Sequence, residues 1–307
     1  MAKKISIVVT VFNEQDTISG LLTALFNQTV KAFEIIVVDG RSTDKTLEIL
    51  KKFTPPLKVR GGQGELLKVL IKYGNRSQGR NIGVIKAQGQ IIAFTDAGCI
   101  PESNWLEEII KPFSNKKVDV VSGYYKGLPK NIFQTCLVPY VLVMPDKIGS
   151  EFLPSTRSMA ITKKLFLSSG GFDEKLWHNE DYAFAHKLKN MSVNFYFAPK
   201  AIVGWLPRKD LKSAAWMFLR FAIGDAQAGI LRPKVKNMAI RYYIFFFLFF
   251  INHWFGLLII PYLLWAIVKN YKYVKNIGAL FWLPVLQLTS DTCVLFGTLV
   301  GLLSRVK

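Results

Sequence analysis

Acidic or amide side chains follow three apolar runs in the first hundred residues. Asn13 and Glu14 follow the first run, Asp39 closes the second and Asp96 closes the third. A single aspartate at such a point is most often a turn or cap residue. Three apolar runs that all end in this way are harder to explain as capping. The pattern therefore predicts a ligand site.

A further acidic pair, Glu180 and Asp181, stands at the start of a helical pattern that reaches Lys189. The helix dipole favours carboxylates at a helix start whether or not they do chemistry. A carboxylate held there can also act as a general base, which removes a proton from a hydroxyl while the oxygen attacks. The residues alone leave both roles open.

The elements that position these residues alternate along the chain. Residues 5–11, 33–38 and 91–95 are apolar runs typical of strands buried on both faces. Residues 17–27, 42–52 and 78–87 have helical patterns. This alternation predicts an α/β fold with a mainly parallel sheet and helices on both faces. In such sheets the ligand crevice lies beyond the carboxyl ends of the strands, where the acidic residues stand.

Charge and hydropathy separate the chain into two kinds of polypeptide. Its 307 residues include 40 Lys or Arg and 21 Asp or Glu, a formal net charge of +19, and half are hydrophobic. The apolar content excludes a disordered protein, because it is enough for one large or two small cores. Residues 232–307 contain nine basic residues and one acidic residue, Asp291. The last quarter therefore differs from the rest.

Two apolar runs, Tyr243–Val268 and Ile277–Leu303, fill this last quarter. At about 20 residues per span, each is long enough to cross a bilayer once. A pair of buried helices in a soluble protein is the alternative. For the first run, a segment in the membrane plane is a second alternative, with a weak polar stripe at Asn252 and His253 and a break at Pro261. The flanking basic residues predict contact with anionic lipid headgroups, and no nucleic acid partner is expected.

The N-terminus and the cysteines indicate the cellular compartment. The first residues are basic, but the apolar stretch after them stops at Asn13, so no export signal is predicted. Cys99, Cys136 and Cys293 are too few and too scattered for a disulfide framework or a zinc site. We expect the first domain to lie on the cytoplasmic side. Asp291, inside an apolar run, is either a functional position or a helix residue near water or a partner helix.

Four segments together resemble the family 2 glycosyltransferases. They are residues 9–14 (VTVFNE), 37–44 (VVDGRSTD), 95–98 (TDAG) and 170–181, which contains GGFDE and NED. Each segment alone is a weak signal, and their order and spacing over residues 5–230 make the combination specific. The resemblance implies a GT-A fold, which is a Rossmann-like nucleotide-sugar-binding domain. It also implies a nucleotide-sugar donor, a divalent cation (Mg²⁺ or Mn²⁺), and transfer with inversion at the anomeric carbon.

The resemblance assigns donor binding and metal binding to residues at the strand ends. The implied donor-binding residues are Val11, Asn13, Glu14, Asp39, Arg80, Asp96 and Ala97. Asp96 matches the position that contacts the cation on the diphosphate. Gly98 stands where a second aspartate is often found, so either the diphosphate and water or a further residue such as His178 would complete the cation's shell.

Other residues are assigned to the acceptor and to catalysis. Asp181, with Glu180 before it, matches the catalytic base of the family. Arg80 is expected to fork onto the diphosphate, with an exposed surface arginine as the alternative. A base is needed for a hydroxyl acceptor but not for a lipid phosphate, whose oxygen is already anionic, so a hydroxyl is favoured. Weaker candidates for acceptor or phosphate contacts are Arg157, Trp177, His178 and Arg220.

These observations predict three regions and a membrane enzyme. The regions are a catalytic domain over 1–211, an amphipathic interface region over 212–241, and a membrane domain over 242–307 with helices at about 243–268 and 277–303. The expected reaction moves a sugar from a nucleotide-sugar to a hydroxyl of a membrane-associated, lipid-linked acceptor. A UDP-sugar is favoured as the donor, with a GDP-sugar as the alternative. The enzyme is expected to be integral to the cell membrane, with its catalytic domain on the cytoplasmic face. The alternatives are a polyprenyl-phosphate glycosyltransferase and a non-catalytic nucleotide-sugar-binding membrane protein.

Overall fold

The computed structural model describes residues 4–53, 66–149, 152–191 and 193–305. The chain divides into two compact units. We call the first the sheet unit, formed by Met1–Lys126 and Gly149–Leu206, and the second the helical unit, formed by Gly127–Ile148 and Pro207–Lys307. The predicted catalytic domain over 1–211 differs from the sheet unit mainly because residues 127–148 group with the C-terminal helices.

The described part of the chain contains eight strands, which form one mixed sheet. They are β1 (Ile5–Val11), β2 (Glu34–Asp39), β3 (Leu67–Ile71), β4 (Ile91–Phe94), β5 (Cys99–Pro101), β6 (Val120–Gly127), β7 (Met159–Thr162) and β8 (Phe195–Trp205). Their order across the sheet is β3-β2-β1-β4-β7-β6-β8-β5. The first four strands are parallel, whereas β7 is antiparallel to β4 and β6, and β5 is antiparallel to β8.

Helices separate and follow these strands. Those of the described residues are α1 (Ile18–Phe26), α2 (Thr46–Phe53), α3 (Arg76–Lys86), α4 (Trp105–Ile110), α5 (Ile132–Val141), α6 (Lys163–Ser168), α7 (Glu180–Asn190), α8 (Leu211–Gln227), α9 (Pro233–Ile251), α10 (Ile259–Val274) and α11 (Ala279–Arg305). Helix α5 and helices α8 to α11 belong to the helical unit.

Two features of the sheet unit position the polar residues. Val11 and Asp39 are paired in the parallel ladder of β1 and β2, so the carboxyl ends of these strands meet at one edge. Phe94 at the end of β4 packs against Phe166 and Phe172, with ring centroids 5.9 and 5.7 Å away, and Phe172 packs on Phe184 of α7 at 4.5 Å. This aromatic core holds the start of α7 near the end of β4.

Residues 127–148 belong with the C-terminal helices because α5 packs on α11. The rings of Phe133 and Trp282 meet edge to face with centroids 4.9 Å apart. The Tyr140 hydroxyl donates a hydrogen bond to the Leu283 carbonyl at 2.8 Å. An apolar segment that the sequence placed inside the catalytic domain is thus covered by the helical unit.

The first apolar run is not the single helix that we expected over 243–268. Helix α9 ends at Ile251, and Asn252 has an extended backbone (φ −152°, ψ 120°). Its side-chain oxygen accepts a hydrogen bond from the Trp254 backbone at 3.0 Å and caps a short 3₁₀ turn before α10 begins. Pro261 causes no break, because it lies in the first turn of α10, where its missing N–H has no intrahelical partner.

The helical unit presents much apolar surface. Two stretches, His253–Val274 and Ala279–Arg305, are long and apolar enough to cross a membrane. Most of the large side chains along α9 and the turn after it are exposed, including Phe247, Phe250 and Trp254. Contiguous apolar surface of this kind is typical of proteins that contact a membrane or a partner. The helical unit is therefore compatible with a membrane anchor.

Glycines bring α8 and α11 together at backbone distance. A Cβ added at Gly297 would lie 2.6 Å from the Leu219 carbonyl oxygen, and one added at Gly301 would lie 2.6 Å from that of Ile223. The two glycines are four positions apart and therefore share one helix face. Small residues spaced in this way let apolar helices approach closely in membranes.

Candidate active site

The loops after β1 and β2 hold each other at the edge of the sheet. The backbone of Asn13 is left-handed (φ 55°), its Oδ1 accepts from Thr43 N at 2.8 Å, and its N–H donates to Ser42 Oγ at 2.9 Å. Asp39 is 0% exposed, and its two oxygens accept from Ser42 N and Oγ at 2.8 and 2.7 Å. The Asp39 carboxylate therefore organises this loop and does not face solvent.

Glu14 belongs to the same group of contacts. Its N–H donates to Thr46 Oγ1 at 2.8 Å, and its Oε2 accepts from Thr17 Oγ1 at 2.6 Å. The Val11 carbonyl accepts from Gly40 N at 2.9 Å. The structure thus brings together four of the seven predicted donor-binding residues: Val11, Asn13, Glu14 and Asp39.

Arg80 on α3 forms a buried bridge between two carboxylates. Its Nη1 donates to Glu180 Oε1, and its Nη2 donates to Asp96 Oδ1 at 2.9 Å. Arg80 and Glu180 are each 3% exposed, and the Arg80 guanidinium carbon lies 5.4 Å from the Phe172 ring centroid. Burial opposes the charged form, but Glu180, Asp96 and Asp181 raise the pKa of Arg80.

This arrangement differs from the sequence interpretation in two ways. Arg80 is not the exposed surface arginine of the alternative, because both of its terminal nitrogens bond to carboxylates out of solvent. Its expected contact with a diphosphate stays a prediction. Glu180, which we grouped with the base, is buried against Arg80 and presents no oxygen to solvent. Both residues support Asp96 and the start of α7.

Asp181, the predicted base, lies beside Asp96. Its Oδ2 accepts from Ser155 Oγ at 2.8 Å and from Thr156 N at 3.3 Å. The Thr156 hydroxyl lies 3.5 Å from Asp181 Oδ2 and 3.2 Å from Asp96 Oδ1, so one side chain contacts both carboxylates. Asp181 is half-buried, unlike its neighbour Glu180. The carboxylate at 181 is therefore fixed in orientation and still reachable.

Asp96 is partly exposed and lies near three arginine side chains. Its side chain is 32% exposed. Burial disfavours the charged form, but the guanidinium groups of Arg80, Arg157 and Arg76 lower the pKa of Asp96 below its ordinary value. The carboxylate is consequently ionised at neutral pH. The next residue, Ala97, is 3% exposed and packs inward.

Arg157 stands beside both carboxylates. Its guanidinium carbon lies 5.4 Å from the Tyr125 ring centroid and 5.9 Å from that of Trp205. Burial opposes its charge, but Tyr125, Asp181 and Asp96 raise the pKa of Arg157. An aromatic cradle with two aspartates nearby gives this residue a fixed positive charge at the site, although the sequence made it a weak candidate.

Ser155 and Thr156 are the site residues that sequence reasoning missed. They precede Arg157 immediately and supply the hydrogen bonds that hold Asp181. The sequence signal that could have found them is the pair of hydroxyl residues immediately before Arg157, ahead of the buried strand β7. Their significance required knowledge of which loop faces α7.

The other acceptor-side candidates fall in both units, with Trp177 and His178 together before α7 of the sheet unit and Arg220 in the helical unit. Trp177 is 60% exposed, and His178 is half-buried. Asn179, which follows them, has a left-handed backbone (φ 57°) and leads into α7. Arg220 belongs to the helical unit, where it is exposed and its guanidinium carbon lies 5.8 Å from the Trp216 ring centroid.

The residues around Asp96 fit a cation that takes one carboxylate from the protein. Among the described residues, no group of three or more His, Cys, Asp or Glu side chains is arranged to hold a metal ion. Asp96 is partly exposed, and a Cβ added at Gly98 would meet nothing within 4 Å. This open space beside Asp96 leaves room for phosphate oxygens and water, which complete the shell of Mg²⁺ in many phosphate-binding sites.

Comparison with known proteins agrees with this geometry. Residues 6–135 match the family described as "Glycosyl transferase family 2". The chain is 34% identical over 237 residues to glycosyltransferase AglE of Haloferax volcanii, covering 74% of each chain. It is 24% identical over 323 residues, 97% of each chain, to a Methanococcus voltae enzyme. That enzyme is named dolichyl N-acetyl-alpha-D-glucosaminyl phosphate 3-beta-D-2,3-diacetamido-2,3-dideoxy-beta-D-glucuronosyltransferase.

A solved structure has the same fold. The mannosyltransferase PcManGT from Pyrobaculum calidifontis, in complex with GDP-Man and Mn²⁺, superposes with a TM-score of 0.58 at 20% identity. The match covers 74% of this chain and 63% of that one. The sheet unit therefore has the predicted GT-A fold. Together with the identity to AglE, this shows that the chain is a glycosyltransferase and belongs to glycosyl transferase family 2.

Proposed function

We propose that this enzyme transfers a sugar, with inversion, from a nucleotide-sugar to a hydroxyl of a lipid-linked acceptor at a membrane. The observation that carries the proposal is the position of Asp181, which is half-buried, oriented by Ser155 and Thr156, and connected through the Thr156 hydroxyl to Asp96. Asp181 and Asp96 both lie next to the Thr156 hydroxyl, so one carboxylate can act on the acceptor side of the anomeric carbon and the other on the donor side.

Asp181 acts as the general base. It accepts the proton of the acceptor hydroxyl while that oxygen attacks the anomeric carbon, and the nucleoside diphosphate leaves from the opposite face. The hydrogen bonds from Ser155 and Thr156 hold the carboxylate in place before the acceptor arrives. A positioned base of this kind contributes about 10²–10⁴-fold to the rate.

Asp96 and the loops after β1 and β2 bind the donor. Asn13, Glu14 and Asp39 organise the edge of the sheet against which the nucleoside lies. Asp96 would hold a divalent cation, which supplies charge neutralisation to the departing diphosphate. Arg157 adds a fixed positive charge next to Asp96. A UDP-sugar is our first choice and a GDP-sugar our second.

The acceptor is a hydroxyl group carried by a lipid. A hydroxyl must lose a proton to attack, whereas a lipid phosphate is already anionic, and Asp181 is positioned to take that proton. The name of the Methanococcus voltae relative describes transfer onto a dolichyl-linked sugar phosphate, which is an acceptor of this class. This supports a lipid-linked glycan over the polyprenyl phosphate itself.

The variant Asp181→Asn tests the base. It keeps the size and the hydrogen-bond acceptor of the side chain but cannot take a proton. We expect transfer from a radiolabelled nucleotide-sugar to a lipid extract to fall by about 10²–10⁴-fold, with donor binding retained in calorimetry. The matched control is Asp119→Asn, in front of β6, which should transfer at the wild-type rate. Wild-type transfer by Asp181→Asn would remove Asp181 from this role.

We further propose that the helical unit anchors the enzyme in the cell membrane, with the sheet unit on the cytoplasmic face. The two apolar stretches, 253–274 and 279–305, and the exposed aromatic residues of α9 support this proposal. After cell fractionation, the full chain should remain in the pellet through an alkaline carbonate wash. Release by that wash would show a peripheral attachment.

A further inference from the structure

The helical unit contains a cavity of about 360 Å³ that the reaction described above does not use. Its walls come from α5, α8, α9, α10 and α11. The volume falls in the range of about 300–1,000 Å³ that is usual for small-molecule sites. Four basic side chains and two carboxylates line it: Arg232, Lys234, Arg241, Lys269, Asp225 and Asp291.

Both carboxylates of the cavity are already paired. Asp225 receives two hydrogen bonds from Arg232, from Nε at 2.6 Å and from Nη2 at 3.2 Å. Asp291 Oδ2 accepts from the Tyr242 hydroxyl at 2.9 Å and lies 3.7 Å from Arg241 Nη2. The negative charge of the cavity is therefore neutralised by two of its four cations.

Lys234 and Lys269 carry the remaining positive charge. Neither has a carboxylate within ion-pair distance among the residues that the structure describes. The Lys269 ammonium lies 4.5 Å from the ring centroid of Trp265, another lining residue. These two ammonium groups give the cavity wall a surplus of positive charge over its carboxylates, which an anionic ligand would balance.

A buried acceptor lines the same cavity. Gln287 Nε2 donates to Asp291 Oδ1 at 2.8 Å, and its Oε1 is buried with no hydrogen-bond partner among the described residues. Gln287 is 6% exposed. A buried oxygen of this kind is normally satisfied. The missing partner is a donor, such as a hydroxyl group close to the anion.

We infer that this cavity binds the phosphate that links the acceptor sugar to its lipid, with Lys234 and Lys269 as its charge partners. The inference rests on the proposed function for the identity of the ligand. Phosphate supplies the anion, the attached sugar supplies the hydroxyl donor, and the apolar helices accommodate the lipid chain. Basic pockets between membrane helices bind phosphate headgroups for the same reason.

The test measures binding without catalysis. Full-length protein in detergent micelles is titrated calorimetrically with farnesyl phosphate, with farnesol and with inorganic phosphate. Wild type should bind farnesyl phosphate much more tightly than either other probe. Each lysine should contribute roughly fivefold to the affinity for farnesyl phosphate. The double variant Lys234→Gln/Lys269→Gln should therefore bind farnesyl phosphate about 30-fold more weakly and bind farnesol as wild type does. Lys236→Gln, on the same helix but outside the cavity lining, is the matched control.

Three results would overturn the inference. One is equal binding of farnesyl phosphate by wild type and the double variant. Another is wild-type binding of farnesol as tight as that of farnesyl phosphate. The third is binding of inorganic phosphate as tight as that of farnesyl phosphate, which would make this a free-phosphate site. The binding experiment uses no nucleotide-sugar and measures no transfer, so a negative result would not affect the assignment of Asp181 as the base. Conversely, wild-type transfer by Asp181→Asn would not affect the measured binding of farnesyl phosphate.

Discussion

Arg80 and Glu180 form an ion pair from which water is excluded, with each side chain 3% exposed. Glu180 is the first residue of α7, and Asp181 follows it, so this pair fixes the end of the helix that carries the proposed base. Arg80 also bonds to Asp96. One buried guanidinium thus connects Asp96, the proposed donor-side carboxylate, with the helix that carries Asp181, the proposed base.

Removing one partner of this pair should destabilise the protein strongly. We expect Glu180→Ala to lower the free energy of unfolding by about 3–5 kcal/mol, because it leaves the buried Arg80 charge without one of its partners. The measurement is denaturant unfolding of the full chain in detergent. Glu102→Ala breaks the exposed pair with Lys126 and should cost about 0–1 kcal/mol. Equal losses in the two variants would contradict the burial argument.

The Thr156 hydroxyl should matter for rate more than for substrate binding. Thr156→Val keeps the shape of the side chain but removes the hydrogen bond to the carboxylates. Hydrogen bonds to charged groups are worth about 1.5–3 kcal/mol, so kcat should fall roughly 10- to 100-fold with little change in KM. Thr156→Ser restores the hydroxyl and should restore kcat. A change in KM alone would assign Thr156 to substrate binding.

The Glu34 carboxylate should make the stability of the folded protein depend on pH. Burial disfavours its charge, but hydrogen bonds from Gln88 N, Lys68 and Ser6 lower the pKa of Glu34 in the folded state. Its contribution is therefore complete above the ordinary glutamate pKa of about 4.3 and is lost as the pH falls through the lower folded value. A plot of Tm against pH should be flatter between about pH 5 and 3 for Glu34→Gln than for wild type. Parallel curves would contradict this.

A methyl group at Gly297 should disrupt the packing of α8 on α11. Gly297→Ala places a Cβ against the Leu219 carbonyl oxygen, and overpacking of this kind costs about 1–3 kcal/mol. We expect a lower Tm for the full chain in detergent. Gly20→Ala in α1, where a Cβ meets nothing within 4 Å, is the control and should be neutral or slightly stabilising. Equal effects would mean that α8 moves freely.

The correct donor should stabilise the folded protein only when a divalent cation is present. A ligand that binds only the folded state stabilises it by about 2.7 kcal/mol at a hundred times its Kd. In a thermal-shift panel of UDP-, GDP- and dTDP-sugars, we expect one sugar nucleotide to raise Tm in Mn²⁺ and to lose that effect in EDTA. Asp96→Asn should lose the cation-dependent part. An EDTA-resistant shift would exclude a cation role for Asp96 in donor binding.

Three of the four parallel strands, β1, β2 and β4, could be predicted because they are local apolar patterns, whereas β3 (Leu67–Ile71) was not among the predicted strands. The runs ending at Val11 and Asp39 are short and apolar, and the strands found there end at those residues. The antiparallel half could not be predicted in this way. The pairing of β4 with β7 joins residues separated by more than sixty positions, and no local pattern of apolar and polar residues predicts such a pairing.

The roles of Arg80 and Glu180 were beyond the sequence for a similar reason. An arginine on a helix and a glutamate at a helix start are ordinary surface residues in a local pattern. Their burial depends on the aromatic core under α7, which involves Phe94 and Phe172 from distant parts of the chain.

The helix break at Asn252 also differs from the sequence prediction. It depends on the hydrogen bond by which the Asn252 side chain caps the next turn, and a hydropathy average over the apolar run does not detect such a cap.

The grouping of residues 127–148 with the C-terminal helices has a consequence for biosynthesis. The ribosome makes α5 long before α11, so the face of α5 that includes Phe133 emerges without Trp282 to cover it. Until the last helix is complete, that face must be shielded by lipid or by a chaperone. A chain cut after Leu206 would never gain the partner, and we expect it to aggregate even though every strand of the sheet is present.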